Sequence, residues 1–402
     1  MKLLHTSDWH LGQKFISRER DEEHALALDW LADTIDREGI DLLIVAGDVF
    51  DIGNPPNSAR THYYNFFKKL RHTQCRHIVI TAGNHDSPQM LEAPRELLQL
   101  LDIHVVGQTK EDPAQEVVAL LDEKGKPETV VAAVPFLRDQ DLRRIVPSDG
   151  SLDRSERIKE AILAHYRAIG TAVEPYVKQK IPIIATGHLC ATGAESSDKQ
   201  DNIYLGNLEN IRSDQFPEVF HYVALGHIHR AQAVGGLQHV RYCGSLIPLS
   251  FSETKDDKSV TVVEFHKNKI KGIKEVPVPL FRRLKTITGD FDSVNNRLEA
   301  LNEKYKDGLS TWVEVIVETD KLIPNLNGLL LDHVKDMNID LLRVRLKNQH
   351  FSLAEQMSDT DLEGLEPEDV FLKKCESAGR PPEEMDELLA TFRELVAWAN
   401  EN

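Results

Sequence analysis

Five short clusters of metal-binding residue types recur along the chain, each following an apolar run: Asp8-Trp9-His10, Gly47-Asp48, Gly83-Asn84-His85-Asp86, Gly187-His188 and Gly226-His227-Ile228-His229. Carboxylate, amide and imidazole donors without a thiolate suit Mn²⁺, Fe²⁺ or Zn²⁺ and disfavour an all-oxygen calcium cage. Asp8 and His10, alternating along an extended segment, turn both side chains toward one ion, and His227 and His229 repeat that spacing. The donors are too many for one ion and suit two, with an aspartate such as Asp48 giving one oxygen to each. Two cations ~3.5–4 Å apart clamp the attacking and leaving oxygens of a phosphoryl displacement. A lone D-x-H or G-D recurs by chance, and most of the 17 histidines are ordinary core or surface residues. The ordered series carries the reading.

The preceding runs (3–7, 41–46, 77–82, 182–186 and 222–225) are short, apolar and bounded by glycine, which reads as buried strands. Open sheets gather ligands beyond the carboxyl ends of their strands. The expectation is therefore that one edge of one sheet collects the donors. Helical spacing is visible at 24–37, at 155–169 and at 58–70, where Tyr63, Phe66, Phe67 and Leu70 share a face. That aromatic stripe is buried core, part of an interface, or both. Further strands near 130–134, 241–243 and 259–265 complete two sheets packed face to face.

A second unit reads as strand 283–288, helix 292–305, strand 311–319, helix 326–337 and strand 339–346. The polar, acidic stretch that follows has no period and reads as a linker. Two tail helices come next, 367–377 and 383–400. Phe371, Met385, Leu388, Leu389, Phe392 and Leu395 give the tail an apolar stripe, which reads as a partner-docking element because a hairpin beyond a linker has little chain to bury against. The expected boundaries are 1–279, a cap at 280–347, a linker at 348–366 and a tail at 367–402.

At 402 residues the chain exceeds one core. No apolar run approaches the ~20 residues that span a bilayer, the N-terminus lacks a signal-peptide layout, and the four cysteines form no CxxC pair. A soluble cytoplasmic protein with reduced thiols is expected. The net charge of −17 argues against coating nucleic acid by bulk electrostatics. A nucleic-acid enzyme remains compatible, because two divalent cations invert the field where a phosphate sits. The chain has no GxxxxGK[ST] loop and so no P-loop ATPase of its own.

The series D-x-H, G-D, G-N-H-D, G-H, G-H-x-H resembles the calcineurin-like metallophosphoesterase superfamily. The flanking residues (HTSDWHLG at 5–12, AGDVFD at 46–51, TAGNHDS at 81–87, ATGHL at 185–189 and ALGHIHRAQ at 224–232) are similar to its nuclease subunits of double-strand-break repair. The resemblance implies an α/β fold: a four-layer sandwich of two packed β-sheets flanked by helices, with a small α/β cap and a C-terminal helical hairpin. It implies that Asp8, His10, Asp48 and His229 hold one ion, and Asp48, Asn84, His188 and His227 the other, most readily Mn²⁺. His85 would face the scissile phosphate. Asp86 would orient it, or would equally be a turn or helix-cap residue before Pro88. Where archaeal and eukaryotic relatives carry a second histidine, this chain has Asp51.

The implied activity is cleavage of DNA ends and hairpins, as a 3′–5′ double-strand exonuclease and single-strand endonuclease. It would be exerted as a homodimer, assembled into a heterotetramer with a large coiled-coil ATPase near the nucleoid. Lys14, Arg18, Arg60 and Arg230 follow the motifs and are the candidate DNA contacts, with Arg20 close to the first two. The rivals are a generic phosphoesterase acting on nucleotides or phosphomonoesters, and a non-catalytic DNA-end tether.

Overall fold

A computed structural model describes residues 1–146, 153–192, 194, 211–319, 323–347, 368, 371, 375 and 388–393. Two six-stranded sheets form the centre. The first runs Lys269–Pro277, Ser259–His266, Lys2–Thr6, Leu42–Ala46, His77–Thr81 and Ile103–Val106, the last four mutually parallel. The second runs Gln232–Val234, Leu237–Tyr242, Tyr222–Gly226, Ile183–His188, Pro127–Ala132 and Val117–Leu121, with four parallel strands at its middle.

Strand alternation sets the layers. Leu42, Ile44 and Ala46 face the second sheet, where they meet Ile184, Tyr222 and Ala224. Leu43 and Val45 point the other way, into a core shared with helices Asp21–Glu38 and Asn57–Leu70. On the far side, Ile183, Ala185, Val223 and Leu225 pack against helix Arg154–Ala172. Strands buried on both faces have no polar side to show, which is why their sequences are continuous apolar runs. The α/β four-layer sandwich is as expected. The aromatic stripe of Asn57–Leu70 is core: Tyr63, Phe66, Phe67 and Leu70 are all buried within the one chain, and burying each phenylalanine stabilises by about 1.5–3 kcal/mol.

The strands predicted near 130–134 and 241–243 are Pro127–Ala132 and Leu237–Tyr242. In the second unit, strands Leu284–Gly289, Thr311–Glu318 and Ile339–Lys347 form a parallel three-stranded sheet joined through helices Phe291–Lys304 and Leu326–Val334. Its own core is built on Val294, Leu298, Val313, Val315 and Leu330. It meets the first unit through Trp312 and Leu284, which cluster with Phe15 and Phe251. Arg282 lies 4.4 Å over the Trp312 ring. Most of the tail, including Met385 and Leu395, and the whole of the predicted linker lie outside the described residues. Of the tail, Glu368, Phe371, Cys375 and residues 388–393 are helical, and Phe371 stacks on Phe392 at 4.2 Å. Among the described residues no helix is long and apolar enough to cross a membrane.

His77 ties the two sheets together. Its Nε2 is 2.7 Å from Glu128 on the second sheet, and its Nδ1 is 2.7 Å from Asp102 beside the first. Burial lowers the pKa of the ring, but Asp102 and Glu128 outweigh it and hold the value above the ordinary 6.5. A raised histidine contributes stability fully below its unfolded value and loses it as pH rises through the folded value. The melting-temperature gap between wild type and His77→Gln is therefore expected to be widest at about pH 6 and to shrink as pH rises above neutrality. A gap that widens with pH would overturn the assignment.

Candidate metal centre

The carboxyl ends of five strands converge, and they belong to both sheets. Asp8, His10, Asp48 and Asn84 follow strands of the first sheet; His188, His227 and His229 come from the second. This corrects the expectation of a single sheet edge. A sequence shows which residues follow a strand but not which strands pair, and here the chain crosses over between the third cluster and the fourth.

Backbone hydrogen bonds zip the first two clusters together: Asp8 N–H donates to Gly47 O and His10 N–H to Asp48 O, both at 3.0 Å. The buried Trp9 indole bonds Thr6 Oγ1 at 2.9 Å and packs edge-on against Phe66, which anchors the turn between the two ligands. Asp8, His10, Asp48 and His227 all sit at positive φ (52°, 46°, 49° and 97°). Such conformations cost of order 1–3 kcal/mol each and persist where the surroundings over-determine them. The glycines permit close approach: a Cβ at Gly83 would collide with the Asp48 carboxylate, and one at Gly226 with the Ala46 carbonyl.

The side chains then meet. Ligand atoms of Asp8, His10 and His229 lie within 4.8 Å of one another, as do those of Asp8, Asp48 and His188. His188 Nε2 is 3.0 Å from Asn84 Oδ1 and 3.2 Å from Asp48 Oδ2. The rings of His188 and His227 are 5.4 Å apart, and those of His10 and His229 are 5.2 Å apart. Asp48 Oδ2 also lies 3.6 Å from His10 Nε2, whereas Oδ1 accepts from His85 N–H at 2.9 Å. Asp48 thus stands between the His10 side and the His188 side of the cluster, where its carboxylate would serve both ions.

These residues fit two cations. The outer nitrogen of each of three histidines is already engaged: His10 Nδ1 with Asp51 Oδ1 at 3.0 Å, His188 Nδ1 with the Ala46 carbonyl at 3.0 Å, and His229 Nδ1 with Glu253 Oε1 at 3.1 Å. Such partners fix the tautomer and leave Nε2 as the ligand atom. His10 Nε2 is buried without a hydrogen-bond partner. Burial lowers the pKa of His188, yet Asp48 overrides it and raises the ring to about 9. Burial raises the carboxyl of Asp48, but His188 and His10 pull it well below the carboxylate range. The charge of Asp48 that favours a proton on His188 would equally favour a cation there, and metal binding displaces protons. His227 is lowered to about 3, by burial and then by the charge of His188, which keeps it a neutral donor.

His85 is exposed beside this cluster, its ring 4.8 Å from that of His10. Its Nδ1 donates to the Asp51 carbonyl at 2.8 Å, which leaves Nε2 outward. Asp86 serves the turn of the alternative reading, and neither orients the His85 ring nor caps the helix. Its carboxylate accepts from the backbone N–H groups of Gly83, Phe50 and Val49 at 2.8, 2.9 and 3.2 Å, cross-linking the second and third clusters, while Ser87 caps the following helix. Burial and the nearby Asp48 raise its pKa to about 6. Asp51, noted in the sequence only as a departure from relatives, and Glu253, in a short turn far along the chain, are the orienting groups that the sequence did not disclose.

Of the basic candidates, Arg20 is withdrawn: it is 1% exposed and salt-bridged to buried Glu23 at 2.7 Å. Arg230 is bonded to Asp256 at 2.7 Å, and Arg60 donates to the Pro55 carbonyl at 3.2 Å. Lys14 is exposed and 3.6 Å from Glu19, and Arg18 is exposed on the same hairpin.

A family model described as calcineurin-like phosphoesterase matches residues 1–231. A second, described as type 5 capsule protein repressor C-terminal domain, matches residues 280–378. The chain is 37% identical over 377 residues to the SbcD subunit of the nuclease SbcCD of Escherichia coli (strain K12), covering 93% of this chain and 92% of that protein. It is 37% identical over 273 residues to the protein of the same name in Rhodobacter capsulatus, 66% of each chain. To that of Bacillus subtilis it is 33% identical over 270 residues, again 66% of each.

Proposed function

The chain belongs to the calcineurin-like phosphoesterase family, and on that premise we propose that it is the metal-dependent DNA nuclease subunit of an SbcCD-type complex, working with an SbcC ATPase. The observation that carries this reading is the convergence of Asp8, His10, Asp48, Asn84, His188, His227 and His229 beside an exposed His85. When bound, the two divalent ions supply Lewis-acid polarisation of the phosphate and activation of water.

The protein's own part is orientation and proton transfer. Asp51 holds the His10 ring through its carboxylate and the His85 ring through its carbonyl, so one residue sets a metal ligand and the proton donor together. With Nδ1–H committed to that carbonyl, Nε2 of His85 is the nitrogen that meets the phosphate, and in the imidazolium form it carries the proton that goes to the leaving oxygen, the ring becoming neutral. Lys14 and Arg18, exposed on their hairpin, are the basic groups suited to a DNA backbone.

Finer points belong to the same proposal: Mn²⁺ as the working ion, 3′–5′ polarity, a homodimer, docking of the SbcC ATPase on the tail through Phe371, Leu388, Leu389 and Phe392, and a cytoplasmic location. The donor chemistry supports Mn²⁺. The purified protein with Mn²⁺, with and without the ATPase, is expected to cleave hairpin DNA and to lose that activity on chelation. Turnover of p-nitrophenyl phosphate alone, with DNA untouched, would sink the nuclease reading.

A further inference from the structure

The turn Phe251–Glu253 lies far from all five ligand clusters in sequence, yet it delivers a fully buried carboxylate to one of them. Glu253 is 2% exposed. Its Oε1 accepts from His229 Nδ1 at 3.1 Å and from Ser250 Oγ at 3.3 Å; its Oε2 accepts from Lys258 Nζ at 2.7 Å and from Leu249 N–H at 3.1 Å. Lys258 is itself buried, and its Nζ also donates to the backbone carbonyl of His229 at 2.8 Å. The pair therefore grips His229 at both its ring and its main chain.

A purely charge-balancing role for Glu253 would need only Lys258. The contact to His229 Nδ1 adds a direction, because it commits that nitrogen as donor and turns the Nε2 lone pair toward Asp8 and His10. The three oriented histidines also differ. His10 and His229 lean on carboxylates, Asp51 and Glu253, whereas His188 leans on a neutral carbonyl. A carboxylate partner makes an imidazole the more basic ligand.

We propose that Glu253 is a positioning residue, which acts through His229 to set the affinity of the ion at the Asp8–His10–His229 position and leaves the Asn84–His188–His227 position alone. This rests on the two-ion reading above. Substituting Glu253 does not remove a ligand; it loosens one.

The test is calorimetric titration of the full-length apo protein with Mn²⁺ alone, beside ion counting and thermal melting of the apo form. Wild type is expected to bind two ions. In Glu253→Ala one binding step is expected to weaken by about 10- to 100-fold while the other holds, and DNA cleavage is expected to recover as Mn²⁺ is raised. Glu253→Gln keeps the shape and an acceptor for Nδ1 but turns its NH2 toward Lys258; with its apo melting curve showing a folded protein, it is expected to show the same selective loss at smaller size. In a His229→Ala background, Glu253→Gln is expected to add nothing further. Equal weakening of both steps, or no change in a folded Gln variant, would overturn the proposal while the two-ion reading stands. Fewer than two ions in wild type would overturn both.

Discussion

Glutamine at position 85 is expected to lower DNA cleavage by about 10²- to 10⁴-fold with the ion stoichiometry unchanged. The backbone and side chain of His85 do separate work. Its N–H donates to Asp48 Oδ1, and any residue supplies that bond. Its ring bonds the Asp51 carbonyl through Nδ1 and lies edge-to-face with His10, and the residue is exposed. Replacing the ring therefore removes a proton donor without disturbing a ligand. The loss should fall on kcat and persist at saturating Mn²⁺, which distinguishes it from the Glu253 variants. Cleavage that stays at the wild-type rate, or that falls together with ion binding, would refute the role given to His85.

Asp48→Asn is expected to abolish cleavage and to weaken both ions, each by more than the roughly 10- to 100-fold typical of an outer-shell partner. Its Oδ2 faces His10 on one side and His188 on the other, so one charge serves both positions. Asparagine still accepts from His85 N–H, and the fold at that turn should persist. The same substitution removes what lifts His188 to about 9, so the ring is expected to titrate lower in the apo variant, as NMR can follow. Weakening of a single binding step would show that Asp48 does not bridge.

The residues differ in how legible they were. Asp8, Asp48, Asn84, His188 and His227 stand directly after runs buried on both faces, and such runs announce themselves by their lack of polar residues. The three long helices of the first unit and the two of the second followed from helical periodicity, whereas the short helices Pro88–Glu92, Arg95–Gln99, Asp139–Ile145 and Glu174–Val177 have too few turns to show one. Asp86 stayed open between orienting His85 and serving the turn because residue type does not say where a carboxylate points; it turned inward to three backbone N–H groups instead of toward the neighbouring ring. Glu253 lies 24 residues beyond His229 in a turn with no period and no motif. Its importance is created only by tertiary folding. The aromatic stripe of Asn57–Leu70 was ambiguous until the packing of Trp9 and the first sheet showed what covers it.

The turn that carries Glu253 also carries Phe251, which packs on Phe15 at 5.1 Å in the cluster that seats Trp312 and Leu284 of the cap. Two residues of one short turn thus answer to two different neighbours. Linkage between such contacts is reciprocal: whatever factor the docked cap lends to ion affinity, the bound ion lends to cap docking. The centre and the cap are thus joined through three consecutive residues, and a shift of the cap at Phe251 would reach His229 through Glu253.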